Sequence, residues 1–217
     1  MNRARRVIFL RHGRTEWNLQ QRFQGQTDIS LDEVGVAQAE RAAAMLAALA
    51  PDRIISSDLV RARATAEPVA RLVGVPVESD RNLRETFAGT WEGLTRAELL
   101  ARYGDAVAAW GASSDQRPGE HGETRIEVAA RVVQAVERGL AGLDAGATLL
   151  VVTHGGAARA GIGHLLGLPP EHWAMLGVMS NCSWSILVED VSPFGPRWRL
   201  QEYNAGTLPE PALADDR

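Results

Sequence analysis

Two of the chain's five histidines stand in matching surroundings: His12 follows the apolar run Val7 to Leu10 and then Arg11, with Gly13 after it, and His154 follows the run Thr148 to Thr153, with Gly155 and Gly156 after it. A short continuous apolar run reads as a buried strand. In open α/β sheets ligands gather beyond the carboxyl ends of the strands, so each strand would deliver one imidazole to the ligand edge. In a regular strand Arg11 and His12 face opposite sides, but Gly13, free to take unusual dihedrals, lets both side chains turn into one pocket at the strand end. Either histidine alone reads equally well as core filler; the matched placement of both favours chemistry.

The neighbours decide which chemistry. Zinc and iron sites take a third imidazole or carboxylate, often through His-x-His, Asp-x-His or HExxH spacing, and neither histidine has such a companion. Arg11, Arg14, Asn18 and glycines surround them instead. Guanidinium groups fork onto two oxygens of a phosphate or carboxylate. Ser56-Ser57-Asp58-Leu59-Val60-Arg61 adds a strand end, a helix start and an arginine in the first helical turn, where unpaired amides and the helix dipole attract anions. Arg63, Arg71 and Arg81 read as solvated. The expected site is an anion pocket needing no metal and no cofactor, with turnover indifferent to chelators.

Composition removes several alternatives. All 23 basic residues are arginine, so a phosphate-loop lysine, a Schiff base and a cofactor aldimine are excluded. Cys182 stands alone, which forbids an internal disulfide or a multi-thiolate metal site, and Val188 occupies the position six residues on where a cysteine phosphatase needs arginine. A net charge of −4 supplies no positive field for nucleic acid. The apolar run near the N-terminus is too short for a signal peptide. The uncharged stretch Trp173 to Val188 is interrupted by serines and Asn181 and falls short of the ~20 residues of a membrane span. A cytoplasmic protein without membrane or nucleic-acid partners is expected.

The elements that must position these groups alternate. Val7 to Leu10 is a strand; Ser30-Leu31-Asp32-Glu33 has capping-box spacing for a helix running to about Ala50, before Pro51. A strand follows at Arg53 to Ser56, a helix at Asp58 to Val73, and a short edge strand at Val75-Pro76-Val77. Residues 81–122, rich in glycine, read as a cap inserted over the sheet edge with one or two helices around Arg96 to Trp110. Thr124 to Glu127 is a second capping-box spacing, opening a helix with an apolar face through Leu140. Then come the strand Thr148 to Thr153, a helix from about Ala157 to Leu166, and apolar runs at Ser183 to Val188 and Trp198 to Tyr203. Strand and helix in alternation predict an α/β fold, a three-layer α/β/α sandwich on a mostly parallel sheet whose last two strands are free to run antiparallel. The 217 residues suit one domain over 1–206 with a loose tail from 207.

The residues also carry a family resemblance. LRHGRTEWN (Leu10 to Asn18) resembles the signature of the histidine phosphatase superfamily, which includes phosphoglycerate mutases and many phosphatases. Gln24-Gly25, the stretch Leu31 to Ala39, SSDLVRARAT, the LRE ending at Glu85, GTWEG (Gly89 to Gly93) and THGG (Thr153 to Gly156) look like further family blocks in family order. The resemblance implies a phosphoglycerate mutase-like fold. It further implies His12 as nucleophile and Glu85 as proton donor, kept partly protonated by burial or by the nearby dianion. Arg11, Arg61 and His154 then form the phosphate pocket, with Asn18, Gln24, Gly25 and Gly155 at its edge. The implied partner is a small-molecule phosphomonoester, and the implied reaction runs through a phosphohistidine.

RHGRT rather than RHGES, a compact insertion and the lack of lysine favour a phosphatase over a mutase. HGETR (His121 to Arg125), GVMSNCSWSIL (Gly177 to Leu187) and RWRLQEYNA (Arg197 to Ala205) resemble the actinobacterial branch acting on glucosyl-3-phosphoglycerate. A broad-specificity or α-ribazole-phosphate phosphatase, a mutase and a non-catalytic phosphate-binding relative stay open. His121, His164 and His172 are expected at structural or surface positions. Trp173, Met175, Met179 and Trp184 read first as core, with a substrate mouth or a homodimer contact as the alternatives.

Overall fold

In a computed structural model, which describes residues 4–190 and 197–207, six strands form one sheet in the order β3-β2-β4-β1-β5-β6. The strands are β1 (Arg6–Arg11), β2 (Arg53–Ser56), β3 (Val77–Ser79), β4 (Thr148–Thr153), β5 (Trp184–Glu189) and β6 (Trp198–Ala205). β1 to β4 pair in parallel, and β5 runs antiparallel to β1. Because β6 is antiparallel to β5 in turn, it recovers the direction of β1, so β5 is the single reversed strand of this sheet. The expected start of the tail is Thr207; from 208 onward it lies outside the described residues.

The helices are α1 (Glu16–Leu19), α2 (Glu33–Ala47), α3 (Val60–Val73), α4 (Arg96–Ala112), α5 (Arg125–Leu140) and α6 (Gly155–Leu165). The pleat splits the strands between two cores. Ile8, Leu10, Ile54, Leu150 and Val152 pack on alanines of α2 and α3, while Val7, Phe9, Ile55, Leu149 and Val151 pack on α5 and α6. That is the three-layer sandwich. Each fully buried aliphatic side chain contributes about 1.5–3 kcal/mol, and β1 is lined on both faces, which explains its unbroken apolar run.

Several local expectations shift. Helix α2 is capped by Asp32, whose Oδ1 accepts from the Gly35 amide at 2.7 Å, rather than by Ser30. It ends at Ala47, and Ala50 turns the chain with a φ of 48°. The edge strand begins after Pro76 because proline has no amide proton to pair. Thr124 and Glu127 do form the reciprocal capping box of α5. Segment 81–122 contains one α-helix, α4, kinked at Tyr103, and two single-turn 3-10 helices at Arg81–Leu83 and Gly89–Trp91. Its Trp91, Leu99 and Trp110 join Phe23 in a third apolar cluster, which seats it on the loop beyond α1 rather than on edge strand β3.

Candidate active site

The register of two neighbouring strands builds the centre of the site. Arg11 of β1 is level with Thr153 of β4, so His12 and His154 are the next residues out on adjacent parallel strands, and the His12 amide bonds to the Thr153 carbonyl at 2.9 Å. Residues level with each other on parallel neighbours point to the same face, and the ring centroids lie 5.1 Å apart. Arg11, His12, Arg61 and His154 are all at most 2% exposed.

The His12 ring is oriented by its own turn. Nδ1 lies 2.7 Å from the Gly13 carbonyl, which can only accept, so Nδ1 carries the proton and Nε2 keeps its lone pair. Gly13 is required here by crowding rather than by an unusual φ: a Cβ would fall 2.6 Å from the Gly35 carbonyl oxygen. Burial, then the Arg61 and Arg11 charges, hold the His12 pKa well below the usual histidine range. Burial, Arg61 and His12 do the same for His154. Both imidazoles are therefore neutral at pH 7. Ser57 Oγ lies 2.9 Å from His154 Nε2 and also accepts the Leu59 amide, which orients the His154 ring.

Hydrogen-bond donors surround the pair. Arg61 leaves the start of α3 and is braced by the carbonyls of Thr27 and Gly25, each at 2.8 Å; Gly25 itself takes a φ of 52°, which glycine permits. Arg11 donates to the Met179 carbonyl at 2.6 Å. Thr15, capping α1, lies 3.1 Å from both Asn18 Oδ1 and Gln24 Oε1. With the amide oxygens held there, Asn18 Nδ2 and Gln24 Nε2 are buried donors without an acceptor among the described residues, and His154 Nδ1 is a buried ring nitrogen without a partner among them. Arg14, counted from sequence among the cations around His12, instead pairs with Asp32 at 2.8 Å.

Glu85 reaches the same end of the sheet from segment 81–122. Thr153 Oγ1 bonds the Leu83 carbonyl at 2.7 Å, and Arg131 clamps the carbonyls of Asn82, Arg84 and Glu85. The carboxylate then accepts from Thr86, Gly156 and Ala157, the last two at the start of α6. A Cβ on Gly156 would come within 2.8 Å of Glu85 Oε1. Gly155, also predicted from the motif, is buried as the first residue of α6, directly after His154. Three backbone amide donors thus fix the carboxylate at the first turn of α6.

All nine residues picked from the sequence for this site are thus buried near the carboxyl ends of β1, β2 and β4 or on the loops that seal them. Sequence reading missed Ser57, Thr65, Arg131 and Asn181. Thr65 Oγ1 accepts the Gly13 amide at 3.0 Å, and Asn181 donates to the His12 carbonyl at 3.0 Å. Thr15 and Asn18 stand three apart, a legible capping spacing; the partners of Ser57, Arg131 and Asn181 are distant in sequence and left no local signal. Among the four hydrophobic residues held open, Trp173, Met179 and Trp184 are buried, whereas Met175 is 81% exposed. His121, His164 and His172 are exposed.

The neutral histidines have a consequence for stability. Unfolded histidine protonates near pH 6.5 while these two resist it, so below that pH the unfolded chain binds more protons and the fold loses up to about 1.4 kcal/mol per pH unit per ring. Above pH 6.5 their contribution is complete. Asp58, whose pKa is lowered first by its hydrogen bond to Arg84, and Glu189, lowered first by Arg5, act only in the more acidic carboxylate range. In phosphate-free buffer the melting temperature should therefore fall steadily between pH 6.5 and 5. A flat profile there would contradict neutral burial of the rings.

The match to known proteins agrees with this geometry. Residues 7–205 match the family model of the histidine phosphatase superfamily (branch 1). A glucosyl-3-phosphoglycerate phosphatase of Mycolicibacterium vanbaalenii is 42% identical, with 94% of this chain and 96% of that protein covered. A 2,3-bisphosphoglycerate-dependent phosphoglycerate mutase of Leifsonia xyli subsp. xyli is 33% identical, covering 82% and 84%. The solved structure of a mycobacterial glucosyl-3-phosphoglycerate phosphatase in complex with VO3 superposes with a TM-score of 0.87 at 40% identity, covering 94% of this chain and 100% of that one.

Proposed function

The chain belongs to the histidine phosphatase superfamily, and on that premise we propose that it hydrolyses the phosphomonoester of glucosyl-3-phosphoglycerate through a phosphohistidine at His12. The carrying observation is the paired, neutral His12 and His154, 5.1 Å apart, in a cage of buried donors. His12 Nε2 attacks phosphorus in line as the bond to the alcohol oxygen breaks, and Glu85 gives its proton to that oxygen. Arg11, Arg61, His154, Asn18 and Gln24 stabilise charge on the equatorial oxygens, the preorganised electrostatic contribution that dominates phosphoryl transfer. Glu85 then takes a proton from water, which attacks phosphorus, breaks the N–P bond and releases inorganic phosphate.

Residues 81–122 act in this reading as the cap of a single domain, carrying both Glu85 and the apolar cluster of Trp91 and Trp110. A chain with one cysteine suits the reducing cytosol. Among the described residues no helix is long and apolar enough to cross a membrane. Of the side chains considered for a homodimer contact, Met175 is the exposed one.

Phosphate release across glucosyl-3-phosphoglycerate, 3-phosphoglycerate, α-ribazole phosphate and phosphoserine, with EDTA present throughout, tests the assignment. The highest kcat/KM is expected for glucosyl-3-phosphoglycerate, with no loss to the chelator because the donor set suits an oxyanion. Preference for α-ribazole phosphate, or isomerisation of phosphoglycerates without hydrolysis, would replace the proposed substrate or reaction.

A further inference from the structure

Next to the Glu85 cleft the molecule holds a cavity of about 410 Å³, walled by α4, the start of α5, α6 and residues 170–174. Trp110, Arg125 and Arg159 line it and also line the narrow cleft containing Glu85, Thr86 and Gly156, so the two spaces are contiguous. Its charged lining is Arg96, Arg125, Arg159 and Glu171, a cationic balance. Arg125 stacks 4.0 Å over Trp110 and donates to the carbonyls of Trp110 and Ser113.

Arg159 differs from every other buried cation in the site. It is 9% exposed, lines both the cavity and the cleft, and makes no side-chain hydrogen bond or ion pair to a carboxylate among the described residues; its charge is felt by Tyr203. A guanidinium presented to a cavity with its N–H groups uncommitted offers a fork that matches the two oxygens of a carboxylate. Arg159 lies three residues beyond Gly156 on α6, so the two positions share a helix face, and that face lines the cleft that contains Glu85. Because Glu85 protonates the departing alcohol, that face looks at the alcohol portion of the substrate and not at the phosphate. Near it the indole N–H of Trp110 is a second buried donor without an acceptor among the described residues.

We propose that Arg159 binds a carboxylate carried by the alcohol portion of the substrate, and that the adjoining cavity, with Trp110 in its wall, takes that portion's sugar. This rests on the phosphatase reading above. A cavity of this size lies in the range that holds small ligands. Arg159 is then a specificity residue: it recognises an acidic alcohol and takes no part in the phosphoryl transfer.

The probes are 3-phosphoglycerate and glycerol 3-phosphate, which differ by a carboxylate in place of a hydroxymethyl group. For the unaltered enzyme kcat/KM should favour 3-phosphoglycerate by about 10- to 100-fold, the worth of one charged hydrogen-bonded pair. Arg159→Met should reduce that ratio toward one, chiefly through KM for the acid. An unaltered enzyme that hydrolyses both at similar kcat/KM, or a variant that loses both equally, overturns the role of Arg159 and leaves the phosphatase assignment standing. Failure of the unaltered enzyme to release phosphate from any phosphomonoester would instead remove the reading beneath it. The comparison on the unaltered enzyme decides the matter even should the variant fail to fold.

Discussion

His12→Ala should lower phosphate release by about four to six orders of magnitude and abolish the acid-labile phosphate trapped on the protein during turnover. The size of the effect follows from position. His12 Nε2 is the unprotonated ring nitrogen of a buried imidazole whose other nitrogen is committed to the Gly13 carbonyl, and His154 cannot replace it because its Nε2 is committed to Ser57. His154→Ala should behave differently: the phosphoenzyme still forms, more slowly by about 100- to 1000-fold, the usual loss of one charge-stabilising donor. Quenched-flow trapping with radiolabelled substrate, followed by acid and alkaline lability, separates the two. Undiminished turnover by His12→Ala would mean that phosphorus is attacked by some other group.

Glu85→Ala should reduce kcat/KM by about 100- to 10,000-fold on an alkyl phosphate, the range for loss of a general acid. The loss should be much smaller for the first step on p-nitrophenyl phosphate, whose leaving group departs without a proton. Because the same carboxylate is assigned to activate water, the variant should then accumulate phosphohistidine and show a burst. The cause is visible in the placement of Glu85, held by the amides of Thr86, Gly156 and Ala157 at the mouth of the phosphate cage. Equal losses on both substrates without a burst would make Glu85 a structural cap of α6 and not the acid. Thermal melts guard against a trivial loss, since the freed amides at the start of α6 become accessible to water.

The contrast between these two residues also marks how far the sequence carries. His12 was legible because its signal is local: a strand-length apolar run, an arginine and a glycine lie within a few positions of it. Glu85 taken alone looks like a surface carboxylate, and only the order of neighbouring motifs singled it out. Its real surroundings are set by Arg131, 46 residues away, and by the first amides of α6, 71 and 72 residues away. Gly13 was legible as a requirement but for the wrong reason, since the Gly35 backbone that crowds it comes from another element.

Residue types and short spacings by themselves pointed to an oxyanion pocket of imidazole and guanidinium, and to strands alternating with helices around those groups. These are properties of what a side chain can donate and of periodicities a few residues long. Tertiary structure alone decided that β4 lies beside β1 with Thr153 level with Arg11, which makes two distant histidines a pair. It alone placed Arg159 in the wall shared by the large cavity and the Glu85 cleft. Strand order, register and the exclusion of water depend on contacts between segments far apart along the chain, and no local pattern encodes them.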